Sequence, residues 1–523
     1  MQIRLHKRLS LLLLTIIYRA FYSLFMEGRW REEPHFDLIP CKCNPAEGGT
    51  PGRRLVVCMD GSSHQFGTKN TNVVELHAHI MKSDEQIPWY HSGMGTYGRP
   101  SNRSLAYWMR AVFNKIDLAI AINLEDVIME AYKFLSNEYE DGDRIYLFGY
   151  SRGAYQARVL AGMIEKMGLI CRHQERQIPF AYELYADRLK NPKGEELAAN
   201  FKRSFCRENV RVHFVGVWDT ISSVGLFRGQ LLPLITESCD HICLFRHALA
   251  LDECRVKFLP EYVFGARSTA PHAYTSHIRP YLHVVDVGSS IVGDGEGDGF
   301  VFWEWESPRR RYTRASLPRI KEVWFAGSHA DIGGGNRENI NLQSGDIPLR
   351  WMRNEAIMAG LILHPTDIDW KAEDLERRPE RSLKPGWWPM ELLPIRRLSY
   401  GKKDATNRSE STFHVFCQLT ITIRPRMGRG RKIVPGQKIH ASVLLKPRYR
   451  PKAKLCSPDV TWPTCVDFND PCELEKLTDL DDKWEKDRFD PAMANFLVDK
   501  LRQPGCQPLE FIVRLCHIAS LSL

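Results

Sequence analysis

The stretch that most constrains this chain lies near residue 150. Ile145-Tyr146-Leu147-Phe148 is an apolar run that enters Gly149-Tyr150-Ser151-Arg152-Gly153. A helical pattern begins at once, with Ala154, Ala157, Val159, Leu160, Ala161, Ile164 and Met167 apolar. Strand, G-x-S-x-G and helix in that order is the context of a nucleophile elbow, which lifts a Ser hydroxyl clear of a sheet. Glycines are needed there because a side chain at either position would collide with the strand or the helix. The competing role for the same residues is a glycine-flanked Ser that only caps the helix behind it.

The surrounding chain alternates strands with helices. Leu55-Val56-Val57-Cys58-Met59 is a continuous apolar run of the kind a buried parallel strand needs, and it ends in Asp60-Gly61-Ser62-Ser63. A helix is predicted over 72–81, a short strand over 87–90, and a helix that places Leu124, Val127, Ile128, Ala131, Phe134 and Leu135 on one face. Arg211 to Trp218 predicts a further strand that delivers Asp219-Thr220. His247 to Asp252 predicts the start of a short helix. Glu322 to Ala326 predicts a strand running into Gly327-Ser328-His329-Ala330-Asp331. Such alternation predicts an α/β-hydrolase-like, doubly wound and mostly parallel sheet with loop insertions. Ligands of such sheets gather at the carboxyl ends of the strands.

Four regions are expected. Residues 1–26 form an apolar targeting or membrane-associating segment, 27–52 a linker, 53–370 the catalytic domain, and 371–523 a carboxyl-terminal extension packed on the core. The amino terminus has Arg4, Lys7 and Arg8 before an apolar run, but Arg19 interrupts it. That run is shorter than the roughly 20 residues a transmembrane helix needs. The chain is therefore expected to be cytoplasmic or peripherally membrane-associated. A net charge of +9 over 523 residues is too dilute to argue for nucleic acid. The extension does contain an acid-free basic stretch from Arg424 to Lys454. The 14 cysteines show no paired metal arms, and no cofactor is expected. The acidic glycine loop Asp294 to Gly299 places Trp305 where a calcium loop needs Glu, so it reads as a solvated loop.

A Ser hydroxyl is a poor nucleophile until a His takes its proton and a carboxylate orients that His. α/β-Hydrolases place these in the order Ser, acid, His. Ser151, Asp219 and His329 keep that order, each directly after an apolar strand. The oxyanion hole is expected from the amide of Arg152 and from the Gly61-Ser62 turn, with Asp60 bracing that turn. Asp331 as the acid and His440 as the base remain open alternatives.

Several segments together resemble a known family. They are Met59-Asp60-Gly61-Ser62, Gly149 to Ala154, Val217-Trp218-Asp219-Thr220, His247 to Glu253 and Trp324 to Gly334. The family is the uncharacterised α/β-hydrolase family that includes the catalytic domains of bacterial type VI secretion phospholipase effectors. Trp387-Trp388-Pro389 and Ile439-His440-Ala441-Ser442 resemble the carboxyl-terminal parts of its fungal members, so the likeness runs over roughly residues 53–450. It implies a Ser-Asp-His triad, which by motif falls on Ser151, Asp219 and His329. One departure is Ser62, where the family usually carries Thr. The expected activity is hydrolysis of lipid or phospholipid acyl esters, with a lipid or small ester as substrate and a peripheral membrane contact. A non-catalytic binding protein on the same fold, or a peptide or thioester hydrolase, is the alternative.

Overall fold

A computed structural model describes residues 52–61, 66–93, 124–186, 193–207, 209–221, 232–235, 239–263, 319–344, 346–365 and 377–392. Beyond these it describes 397–400, 419–422, 425–433, 437–443, 446, 449–455 and 484–485. The amino-terminal apolar run, the linker, Ser62 and the 294–299 loop lie outside the described residues.

Among the described residues, eight strands form the main sheet. They are β1 (Arg54–Met59), β2 (Gln86–His91), β3 (Arg144–Tyr150), β4 (Val212–Trp218), β5 (Ile242–Ala250), β6 (Ile320–Phe325), β7 (Lys438–His440) and β8 (Trp484–Glu485). Their spatial order is β8-β7-β6-β5-β4-β3-β1-β2, and every neighbouring pair is parallel. The chain leaves β1 outward to β2 and then returns on the other side of β1 to β3. That reversal is the switch point where open parallel sheets form a crevice.

Both faces of the sheet are covered, which explains the uninterrupted apolar runs. Leu55, Val57 and Met59 face one side and Val56 and Cys58 the other, following the two-residue period of a strand. The first face packs against the helices α2 (124–138), α3 (Arg152–Met167), α4 (Ile178–Tyr185) and α5 (Gly194–Phe205). The second packs against α1 (Asn72–His79) and α7 (Ile347–Met358), whose Leu349, Trp351, Met352 and Ala356 are buried. A short helix, α6 (His329–Gly333), opens directly behind β6.

One segment differs from expectation. His247 to Ala250, predicted to begin a helix, is the second half of β5, and a bend follows at Leu251 and Asp252. Ala and Leu are strong helix formers, but intrinsic propensity is small per residue and tertiary context overrides it. Here Phe214 to Trp218 on one side and Ile320 to Phe325 on the other supply complete ladders. All nine residues of β5 are buried, so no alternation betrayed the strand.

Helix α7 is held by charge as well as by apolar packing. Glu355, 4 % exposed, accepts from Lys321 at 2.8 Å and is ion-paired to Arg246. A buried pair left with one partner is strongly destabilised, by about 3–5 kcal/mol. Glu355→Ala is therefore expected to lower the urea-unfolding free energy by about that much; an unchanged midpoint would show that solvent reaches these cations.

Candidate active site

Both glycines of the elbow are required sterically. A Cβ on Gly149 would lie 2.4 Å from the Gly153 carbonyl oxygen, and one on Gly153 would lie 2.2 Å from the Met59 carbonyl oxygen. The end of β1 therefore runs against the start of α3, and no side chain fits between them. Ser151, at φ 58° and ψ −116°, occupies the left-handed half of the map that most residues avoid. Its amide donates to Trp218 O at 3.0 Å, and its carbonyl accepts from Ile221 N at 3.2 Å. The β4 loop thus clamps the turn, which is how a strained conformation persists.

The side chains of three strand ends then meet. His329 Nε2 lies 2.9 Å from Ser151 Oγ, and His329 Nδ1 lies 2.5 Å from Asp219 Oδ2. An ionised carboxylate can only accept, so Nδ1 carries the hydrogen and Nε2 is the acceptor for the Ser hydroxyl. Asp219, also at positive φ (45°), is fully buried and accepts from Ala250 N at 3.1 Å.

The strongest partner of Asp219 lies far along the chain. Arg431 donates to Asp219 Oδ1 at 2.5 Å and to Oδ2 at 2.9 Å, a two-pronged pair between fully buried groups. The same guanidinium donates to Ala250 O at 3.2 Å and Phe258 O at 2.6 Å. Burial opposes the charge on Asp219, but Arg431 and the His329 hydrogen bond outweigh it and hold the carboxyl well below its ordinary range. Burial dominates at His329, whose basicity falls below the usual 6.5 although Asp219 pulls the other way.

Outer contacts orient these groups. Phe258 meets the His329 ring edge to face at 5.0 Å, and Tyr150 lies 4.7 Å away on a tilted ring. His329 N donates to Glu253 at 3.3 Å, and Glu253 pairs with Arg255 at 2.8 Å. Thr220 N donates to His247 Nε2 at 3.1 Å, so His247 Nδ1 donates to Glu322 at 3.0 Å. That buried relay fixes the loop carrying Asp219.

The remaining expected residues occupy other places. Asp331 caps its own helix, accepting from Ser328 N at 2.8 Å and Ser328 Oγ at 2.9 Å. His440 contacts Ser442 Oγ at 2.7 Å and stacks on Phe325 at 4.6 Å. The structure does not bring them together with Ser151. Asp60 does brace the turn after β1, accepting from Gly61 N at 2.6 Å, Thr71 Oγ1 at 2.7 Å and Tyr90 OH at 3.0 Å. Burial pushes its carboxyl up to about 6. The Gly61 amide is thereby donated to Asp60, and Gly61 does not offer it to Ser151 in this conformation. Arg152 is the first residue of α3, where helix amides have no intrahelical acceptor and the helix dipole favours an anion.

Sequence alone gives no role to Arg431, Glu253, His247 or Glu322. His247 and Glu253 stand inside a family-like segment, the one signal that marked them. Arg431 had none beyond a basic stretch.

A parallel α/β sheet carrying Ser, His and Asp on the carboxyl ends of three strands has α/β-hydrolase-like architecture. The family model described as T6SS, phospholipase effector Tle1-like, catalytic domain matches residues 53–355, more than half of the chain. The chain belongs to that family. An uncharacterized protein of Saccharomyces cerevisiae, YEL023C, is 28% identical over 417 residues, covering 62% of this chain and 60% of that protein. Among solved structures, an uncharacterized protein from Pseudomonas aeruginosa is 16% identical with a TM-score of 0.30, over 64% of this chain and 48% of that one. The Tle1 effector bound to the VgrG spike of the type 6 secretion system is 17% identical with a TM-score of 0.28, over 58% and 54% respectively. The chain thus spans about half to three-fifths of the length of each of these proteins.

Proposed function

We propose that this protein is a serine hydrolase of lipid or phospholipid acyl esters, working through an acyl-enzyme. The observation that carries the reading is His329 bridging Ser151 Oγ at 2.9 Å and Asp219 Oδ2 at 2.5 Å. Membership of a phospholipase-effector family supports the lipid substrate. His329 Nε2 takes the Ser151 proton as Oγ attacks the ester carbonyl, and Asp219 stabilises the imidazolium that forms. The oxyanion develops against the Arg152 amide at the α3 N-terminus; Gly61 N–H reaches it only by leaving Asp60. His329 then returns the proton to the departing alcohol, and water repeats the cycle on the acyl-enzyme. One oxyanion donor typically lowers such a barrier by about 3 kcal/mol.

Lipid-class profiling of the purified full chain beside its Ser151→Ala form tests the substrate. Free fatty acid should appear from one or more glycerolipid classes with the wild type alone. Turnover confined to peptides or thioesters would reassign the substrate, and identical profiles would leave a non-catalytic binding protein.

His329 must be neutral to act as base, so activity is lost as pH falls through its folded value. That value is lowered, and the acid limb of kcat/KM should therefore fall below pH 6.5. A limb above 6.5 would mean that Asp219, not burial, dominates the site.

A further inference from the structure

The extension carries an apolar face close to the catalytic base. A single helical turn, Pro385–Trp387, leads into a short helix, α8 (Trp388–Leu392). Trp387 meets Phe258 edge to face at 5.6 Å, and Phe258 meets the His329 ring at 5.0 Å. Two ring contacts therefore connect the start of α8 to the imidazole that faces Ser151. Trp388 and Leu392 stand four residues apart, on one side of α8, and are 43% and 55% exposed. Met427 is 51% exposed, and its neighbour Gly428 lies against the same helix. A Cβ on Gly428 would be 2.8 Å from Leu383 and 3.9 Å from Trp388.

This face is held on a fixed frame. Glu391 is fully buried, and its carboxylate accepts from Val256 N and from Gly428 N at 3.0 Å, while its carbonyl accepts from Arg426 N at 3.2 Å. One buried residue thus ties α8 both to the Met427 loop and to the segment that carries Phe258. The charge around the face is one-sided. In 377–392 and 425–433 the exposed ionisable residues are Arg377, Arg378, Arg381, Lys384, Arg429 and Lys432, against Glu380 alone. Glu380 is paired with Lys384 at 3.0 Å. Adjoining exposed apolar side chains with a polar rim mark an interaction surface. A basic rim suits an anionic headgroup layer, which attracts each nearby cation while the apolar side chains enter the acyl boundary. An apolar protein groove would take the three apolar side chains and leave the cations unused.

We infer that Trp388, Leu392 and Met427, flanked in the chain by Arg381, Lys384 and Arg429, dock this protein on an anionic lipid surface and bring the His329 side of the site to it. The choice of lipid over a protein partner rests on the lipid-hydrolase reading; vesicle binding is measured without it.

The test uses the full chain carrying Ser151→Ala, so that turnover plays no part. It is mixed with phosphatidylcholine vesicles, with or without phosphatidylserine, and the bound fraction is read after flotation. Binding should be tighter with phosphatidylserine. Trp388→Ser, Leu392→Ser and Met427→Ser together should weaken it at least about tenfold, since burying one such side chain is worth that much. Arg381→Gln with Arg429→Gln should cut the phosphatidylserine preference by about fivefold or more, the worth of one cation near an anionic surface. All five side chains are exposed, so both variants should keep the melting temperature of the parent. If the triple variant melts lower, the charge variant decides alone, and an unchanged preference then overturns the proposal. Vesicle binding unchanged in a stable triple variant overturns it too, whatever other segment reaches the membrane. A triple variant that loses only self-association would make the face a contact between copies of this chain. Kinetics in the Ser151 background add a second readout. The triple variant should raise KM for vesicle phospholipid and leave kcat/KM for a soluble short-chain ester unchanged; equal loss on both would place these side chains in the site and not at a surface. No hydrolysis by the wild type would sink the catalytic reading and leave the vesicle result standing.

Discussion

Ser151→Ala is expected to lower kcat on an uncharged short-chain ester by on the order of 10⁶-fold, about 8 kcal/mol of barrier, with little change in melting temperature. The alanine removes the attacking Oγ and the hydroxyl that His329 Nε2 meets at 2.9 Å. The elbow itself should stand, because its shape depends on Gly149, Gly153 and the backbone bonds to Trp218 and Ile221, which a β-methyl leaves intact. Residual activity should reflect the Arg152 amide and substrate binding alone. A fluorophosphonate probe should label the wild type once and the variant not at all. Wild-type turnover by the variant would remove Ser151 from the chemistry, however good the geometry.

The second large effect belongs to Arg431. Arg431→Met strips the two-pronged partner from a carboxylate that is wholly buried. Removing one member of such a pair costs about 3–5 kcal/mol, because the other charge is left without compensation. Among the described residues Asp219 would keep only the Ala250 amide and His329 as side-chain partners, so the His329 ring would lose its fixed position. A displacement of about 1 Å at a reacting group costs on the order of 10²-fold in rate. The proton balance changes as well. Asp219 acts on His329 partly neutralised by Arg431; without that neutralisation its charge favours the imidazolium more strongly. The acid limb of kcat/KM should therefore move to higher pH in Arg431→Met. A merely structural arginine would lower stability and leave the limb where it was. Arg431→Lys keeps the charge but cannot present the planar fork, so it should restore the limb more fully than the rate. Stability, rate and limb all unchanged would refute the role.

Much of the fold was legible because periodicity and burial coincide. Leu55 to Met59 and Ile145 to Phe148 are uninterrupted apolar runs because helices cover both faces of a parallel sheet. Glycine spacing marked the elbow because backbone atoms approach within the volume of a Cβ there. Strand β5 is not legible at His247 because a strand buried on both faces shows no alternation, and its Ala and Leu residues are better suited to a helix. Gly61 was expected to offer its amide to an oxyanion, but the neighbouring Asp60 carboxylate accepts it at 2.6 Å. A one-residue hydrogen bond of that kind leaves no trace in spacing.

By itself the sequence determined the strands that carry the site (β1, β3, β4 and β6), the tight glycine-flanked turn at Ser151, and the placing of Asp219 and His329 after later strands. Each follows from local pattern, because backbone geometry and burial period act over a few residues. Tertiary structure alone decided which carboxylate and which imidazole meet Ser151, leaving Asp331 to cap α6 and His440 to stack on Phe325. It alone also brought Arg431, 212 positions beyond Asp219, into the same buried pair. The physical reason is that charge pairing inside a protein depends on distance and on the exclusion of water, and neither is written in the separation of two residues along a chain.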